Sequence, residues 1–131
     1  MSTPYDQSRF SPAAPIINTL VTHPTRKSKK IRMEMQLDSG ADMTCIPSSI
    51  NAYIPNLRYG SVKAEGYDGN VSTRKTRFIL ICINRQEFLT EAVEVEGEIG
   101  LLGRDLLNKY RTVLDGPKLE FDLEYSQNEP E

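Results

Sequence analysis

The segment Leu37-Asp38-Ser39-Gly40-Ala41-Asp42 ends an apolar run with a carboxylate, a hydroxyl and a glycine in immediate succession. A carboxylate can take or give a proton, a hydroxyl can fix a loop by hydrogen bonding, and a glycine lets a second backbone come close. Taken alone, such a triplet is also ordinary turn chemistry. A second segment, Ile99-Gly100-Leu101-Leu102-Gly103-Arg104-Asp105-Leu106-Leu107, brackets an apolar run with two glycines and passes straight into an amphipathic turn. Alone, it reads as a strand-to-helix connection. The rest of the inventory narrows the chemistry. With His23 as the only histidine and Cys45 and Cys82 as the only cysteines, a two-histidine zinc site is excluded and a disulfide framework has almost nothing to build on. The two cysteines lie in apolar surroundings and read as reduced, buried thiols. Ser39 is not in a Gly-x-Ser-x-Gly elbow, and His23 sits beside Pro24 before a basic turn, where an exposed loop histidine is expected. A Ser-His-Asp hydrolase is therefore poorly supported.

The two segments are separated by some 60 residues with an Asp68-Gly69 turn between them, and together they are far more specific. The pair resembles the retropepsin-like aspartic proteases, the single-domain enzymes of retroviruses, retrotransposons and related cellular systems. Asp38-Ser39-Gly40-Ala41 matches that family's Asp-Thr/Ser-Gly-Ala motif. Gly100-Leu101-Leu102-Gly103-Arg104-Asp105 matches its second signature. Gly66-Tyr67-Asp68-Gly69 falls where the family carries its flap tip, and Phe78 to Ile83 falls on the buried strand that follows. The resemblance spans roughly residues 14 to 123. It implies an all-β, single-lobe acid protease fold. That fold is a closed β-barrel or sandwich with a flap hairpin and one short helix after Gly103-Arg104-Asp105, functional as a homodimer. It also implies an aspartic-type endopeptidase that needs no metal and no cofactor.

The chemistry agrees with the resemblance. Aspartic proteolysis uses two carboxylates about 3 Å apart that share one proton, because two like charges so close cannot both ionise. The chain holds one Asp-Ser-Gly; Asp68-Gly69 and Asp115-Gly116 lack the hydroxyl residue between Asp and Gly. An active enzyme therefore requires a second copy, with Asp38 contributed by each. By resemblance, Asp38 is the catalytic carboxylate and Ser39 locks the two loops across the twofold axis. Gly40, Ala41 and Asp42 line the substrate strand, and Gly66, Tyr67, Asp68 and Gly69 cover it. Arg104 is expected to pair with Asp42 behind the loop, with Asp105 beside it as part of the structural support. The shared proton predicts a pH optimum on the acid side of neutral. The alternative is a catalytically silent homodimer of the same fold that binds peptides or mediates assembly.

The elements that must place these residues are short strands. Ala14 to Thr22 reads as one. Ile31, Met33, Met35 and Leu37 alternate on one face of the next, as a half-buried strand requires. Ser61 to Thr73 reads as a hairpin turning at Asp68-Gly69. Phe78 to Ile83, Phe88 to Val95 and Leu119 to Leu123 complete the strands. Pro47 to Ile54 and Arg104 to Tyr110 read as short helices. A length of 131 residues with 38% hydrophobic side chains allows one domain, expected over residues 14–125. Residues 1–13 read as a flexible arm and 126–131 as a polar, acidic tail. Sixteen basic and 18 acidic residues give a net charge of −2, which provides no reason to expect a nucleic-acid or membrane partner. The basic run from Arg26 to Arg32 has no interleaved aromatics and reads as a solvated hairpin loop. The expected partners are a second copy of the chain and an extended polypeptide substrate. No apolar run approaches the roughly 20 residues of a membrane span, and the polar N-terminus has no signal pattern, so a cytoplasmic location is expected.

Overall fold

A computed structural model describes residues 2–66 and 68–125. The first strand, β1 (Thr3–Pro4), is short. It is followed by β2 (Ile16–Thr22) and β3 (Lys30–Leu37), which form an antiparallel hairpin around the basic loop. The alternation expected for β3 holds: Met33, Met35 and Leu37 are buried and the intervening side chains are not. Next come β4 (Cys45–Pro47), a single helical turn α1 (Ile50–Tyr53), and a long hairpin of β5 (Tyr59–Glu65) and β6 (Val71–Ile83). The remaining elements are β7 (Gln86–Val95), β8 (Gly100–Leu102), α2 (Arg104–Leu107), β9 (Tyr110–Asp115) and β10 (Glu120–Tyr125).

Seven strands form one sheet in the order β2-β3-β8-β4-β7-β6-β5, and an added pairing of β2 with β6 closes six of them into a barrel. The strand β5 stays outside the closure, attached only to the first half of β6. The barrel interior is aliphatic: Val21, Met35, Ile46, Ile79, Ile81, Ile83 and Leu102 are fully buried there. The alternation of Ile79, Ile81 and Ile83 on β6 explains why the run Phe78 to Ile83 is one strand rather than a helix. The fold is thus mostly β, as the sequence predicts, with its helices reduced to single turns.

A second sheet, in the order β1-β10-β9, contributes to the same core as the barrel. Phe121 and Leu123 of β10 point into the core, and Tyr110, Phe88 and Tyr125 pack ring against ring beside them. The Tyr110 hydroxyl donates to the Ile83 carbonyl at 2.9 Å, which ties this sheet to the end of β6. Strand β9 is not among the strands expected from the sequence. The helical reading ran to Tyr110, whereas α2 ends at Leu107 and the chain is extended from Tyr110 onward.

The N-terminal segment, expected to be a flexible arm, is held against the domain. Strand β1 pairs with β10, and Asp6 bridges to Ala14. Arg9 forms a fork between two carboxylates, its Nε donating to Asp6 at 2.8 Å and its Nη1 to Glu34 of β3 at 2.8 Å. Hydrogen bonds from the Arg9 backbone and side chain hold the Asp6 carboxyl down to about 2. The Arg9 guanidinium likewise holds Glu34 below its ordinary range. A carboxyl depressed in the folded state adds stability that is complete above its ordinary value and is lost as pH falls through the folded value. The Asp6 anchor is therefore expected to persist through mildly acid solution and to let go between about pH 4 and pH 2. NMR titration of the Asp6 carboxyl carbon checks this; a midpoint at its ordinary value of 3.8 would show an arm that is not anchored.

His23 also departs from expectation. It is buried, not exposed. Its Nδ1 accepts the backbone N–H groups of Thr25 and Arg26, both at 3.1 Å, so Nε2 carries the proton and donates to the Asn56 carbonyl. The ring fixes the β2–β3 loop, and nothing in these contacts is catalytic.

Candidate active site

Asp38 follows the last residue of β3. The ladder between β3 and β8 is parallel, pairing Gln36 with Leu101 and Leu37 with Leu102, and it runs one bond further: the Asp38 N–H donates to the Leu102 carbonyl at 3.0 Å. The chain then turns sharply, with the Ala41 N–H donating back to the Asp38 carbonyl. The Gly40 N–H donates to Asp38 Oδ1 at 2.9 Å, which fixes the orientation of the carboxylate. A Cβ at Gly40 would lie 3.1 Å from that same oxygen, so the glycine leaves room for the bond. Asp38 Oδ2 accepts no hydrogen bond among the described residues, and the side chain is half-buried. The Ser39 hydroxyl is exposed and likewise unpaired there. The arrangement is a rigidly aimed carboxylate with one oxygen free.

The second motif holds this loop from behind. The Arg104 N–H donates to the Ala41 carbonyl at 2.8 Å, and its Nη1 donates to the Ser39 carbonyl at 2.7 Å. The expected pairing of Arg104 with Asp42 does not form. Both side chains are exposed, where an ion pair gains little, and the guanidinium is taken up by a backbone carbonyl that the turn presents at a fixed point. Asp105 is the acidic member of the support. Its Oδ1 accepts the Thr44 hydroxyl at 2.8 Å and its Oδ2 accepts the Thr44 N–H at 3.1 Å. The Thr44 oxygen in turn accepts the Gly103 N–H at 3.3 Å.

Thr44 is fully buried and was not singled out from the sequence. Its one signal is a hydroxyl residue inside the run Met43-Thr44-Cys45-Ile46, where an apolar side chain would otherwise be expected. Replacing Asp105 by asparagine removes one of the two acceptors and faces a donor toward Thr44. The expected cost is about 1–3 kcal/mol, the cost of leaving a buried donor unmet. Urea unfolding checks this, and an unchanged midpoint would show that Thr44 finds another partner.

The hairpin of β5 and β6 keeps perfect register from Tyr59↔Arg77 to Glu65↔Val71, so it turns at residues 66–70 as the sequence predicts. The Gly66 N–H donates to the Asn70 carbonyl, and Gly69 takes a φ of +81°, a conformation that side chains disfavour. Asp68 accepts both the backbone N–H and the side-chain amide of Asn70, stiffening the tip. Tyr67 lies outside the described residues.

Cys45 borders the same site. Burial pushes its thiol up, and the nearby Asp105, Asp38 and Asp42 carboxylates add to the effect, so the thiolate needed for reactivity is disfavoured. Among the described residues, no three His, Cys, Asp or Glu side chains converge closely enough to hold a metal ion.

No protein-family model and no curated protein matches this chain. Solved structures do match. The chain is similar to the EIAV protease complexed with the inhibitor HBY-793, with a TM-score of 0.57 and 18% sequence identity. The match covers 81% of this chain and 92% of that one. At this identity the likeness is one of fold, and the fold is retropepsin-like.

Proposed function

We propose that this chain is an aspartic-type endopeptidase, active as a homodimer in which two copies of Asp38 meet and share a proton. The observation that carries the reading is the Asp38 carboxylate itself: one oxygen is fixed by Gly40, the other is free, and the loop is braced from behind by Arg104 and Asp105. A lone carboxylate cannot supply both halves of the reaction. Paired with its copy it can. The ionised member takes a proton from water, and the resulting hydroxide attacks the peptide carbonyl. The protonated member gives its proton to the carbonyl oxygen. Collapse of the tetrahedral adduct breaks the C–N bond. The leaving nitrogen takes the proton that came from water, and the hydroxyl that received the other proton returns it, so the pair regains one proton.

The substrate would lie as an added strand over the loop. The Gly40 carbonyl and the Asp42 N–H are unused among the described residues and are available to it. The β5–β6 hairpin would act as the flap, closing over the substrate and excluding water. Two features support dimerisation. The exposed Ser39 hydroxyl stands beside Asp38, where it can bond to the partner's loop. Strand β9 has β10 on one edge and no neighbour on the other among the described residues, and it exposes Val113 and Leu114. Natural edge strands seldom leave such residues uncovered.

The test is cleavage of a peptide mixture by the purified protein, across pH and concentration, with and without a statine-type transition-state inhibitor. Inhibitable cleavage is expected, with a specific activity that falls on dilution because the dimer dissociates. Specific activity that stays constant far below the dissociation constant measured by ultracentrifugation would rule out the shared site. A profile rising steadily from about pH 5 to pH 9 would contradict the one-proton pair.

A further inference from the structure

The outer surface of the barrel carries a hollow that shares no residue with the Asp38 loop, its braces or the hairpin tip. Phe78 reaches it because Ile79, Ile81 and Ile83 alternate into the core and leave Phe78 on the other face of β6. In the β6–β7 ladder Phe78 stands opposite Glu91, and Leu89, two positions along, is its diagonal neighbour on the same face. Leu89 keeps 68% of its surface open, a large apolar side chain that nothing covers. The β2–β3 loop supplies the facing wall. His23 holds that loop by accepting the Thr25 and Arg26 N–H groups, and Pro24 lies between them. The volume is about 370 Å³, within the range of small-molecule sites. Arg58 gives the hollow its charge. The Phe78 N–H donates to the Arg58 carbonyl at 2.9 Å, and the guanidinium carbon lies 5.3 Å from the centre of the Phe78 ring. A guanidinium held against a ring keeps its N–H donors, and those of Arg58 meet no acceptor among the described residues. The Asn56 side-chain amide is likewise unpaired there. Glu91, opposite Phe78, accepts the Thr76 hydroxyl at 2.8 Å instead, and none of the lining residues is acidic.

We propose that this hollow binds a small apolar carboxylate: an aromatic or branched aliphatic group bearing one carboxylate, which meets Arg58 while the apolar body covers Phe78, Leu89 and Pro24. The chemistry follows from what lines the site. The in-plane N–H donors of a guanidinium match the two oxygens of a carboxylate. One cation suits one negative charge, whereas a phosphate dianion would call for a cradle of donors that this wall does not supply. An ammonium ligand would find no carboxylate among the lining residues. His23 is not a free partner, because Nδ1 is taken by two backbone donors and Nε2 by the Asn56 carbonyl. The basic loop continues from the lining residue Thr25 into Arg26 and Lys27, and its positive potential draws an anion toward the opening. A ligand body seated on Leu89 and Phe78 removes apolar surface from water, which is the driving force for entry. The site stands on its own residues, and its occupancy depends on no step of peptide cleavage.

The experiment is an NMR titration of the purified protein with 3-phenylpropanoate and, separately, with its neutral amide, 3-phenylpropanamide. Saturable shifts are expected at the backbone amides of Thr25, Arg58, Phe78 and Leu89, with a Kd for the acid on the order of 1 mM, the scale for so small a ligand. The amide should bind about tenfold more weakly, because it forfeits the charge-assisted bonds. Arg58→Gln should weaken the acid by a similar factor and leave the amide unchanged, so that the two ligands become alike. Leu89→Ala should weaken both ligands together. Both side chains are exposed, and a thermal melt of each variant shows that it is folded. Free acids and peptide chain ends share this chemistry, and acetyl-Gly-Phe with a free carboxylate separates them. Tighter binding than 3-phenylpropanoate supports the site with a peptide C-terminus as its ligand, and weaker binding supports it with a free acid. Equal affinity of the wild type for acid and amide would overturn the proposal. So would shifts confined to other parts of the chain, or no saturable shift at these amides.

Discussion

Replacing Asp38 by asparagine is expected to abolish peptide cleavage while leaving the fold intact. In a homodimer the substitution removes both carboxylates at once, so neither a base for the water nor an acid for the carbonyl oxygen remains. General acid–base groups contribute about 100- to 10,000-fold each to a rate, and the loss should lie at or beyond the upper end of that range. The local structure tolerates the change. The oxygen of the substituted side-chain amide can still accept the Gly40 N–H, and the bond from the residue-38 backbone to Leu102 does not involve the side chain. Stability should therefore move by no more than about 0.5 kcal/mol. Cleavage rates and melting curves for the two proteins, measured side by side, check both halves. Equal rates for wild type and variant would remove Asp38 from the chemistry. No cleavage by either, at concentrations where the dimer forms, would favour the silent peptide-binding module of the same fold.

The largest effect on stability is expected from Gly103→Ala. The φ of Gly103 is −85°, a value any residue adopts, so its constraint is one of space. A Cβ there would sit 2.6 Å from the Met43 carbonyl carbon, 2.7 Å from its oxygen and 2.9 Å from the Thr44 nitrogen. All three are backbone atoms and cannot rotate aside. The loop carrying Asp42 to Thr44 must separate from the start of α2. That movement strains the bond from Gly103 to Thr44 and the two bonds from Thr44 to Asp105. Overpacking costs about 1–3 kcal/mol, and an unmet buried donor adds a similar amount. Against a total stability of about 5–15 kcal/mol this is a severe loss. A fall of about 10 °C or more in Tm is expected. Gly116→Ala is the control, because a Cβ there meets nothing within 4 Å. Similar melting temperatures for the two variants would show that the two loops are not in close contact.

The Asp38 motif and the hairpin are legible because each is local. Asp38-Ser39-Gly40 closes its own turn, and Asp68-Gly69 turns its own hairpin through bonds between near neighbours. The alternation of β3 and the aliphatic run of β6 were legible because burial imposes a period of two. The features that escaped depend on partners the sequence does not mark. Arg104 binds a carbonyl, and every residue carries one, whereas side-chain charges alone point to Asp42. The arm looked disposable because it is polar and aperiodic; Glu34, which anchors Arg9, lies 25 residues further along. His23 sits in a polar loop by sequence, and the carbonyl its ring bonds, that of Asn56, lies on a separate segment. Strand β9 was hidden because Leu106 and Leu107 carried the helical pattern toward Tyr110, where pairing with β10 takes over.

Strand β6 has two different lives along its length. Residues 71–75 are exposed and pair only with β5, whereas from Thr76 onward the strand is built into the barrel. The changeover is clamped. Buried Thr76 donates to Glu91, and Arg77 reaches both Glu94 and the Leu57 carbonyl while stacking on Tyr59. The hairpin is mechanically a cantilever, bolted at one end and free at the other. Its deflection is confined to the span beyond the bolt, and a load on its tip is delivered through Thr76 and Arg77 to β7. The root of the hairpin and the barrel wall from Thr76 onward are one continuous chain, so in the proposed flap role stiffness at the root would govern how far the tip could travel.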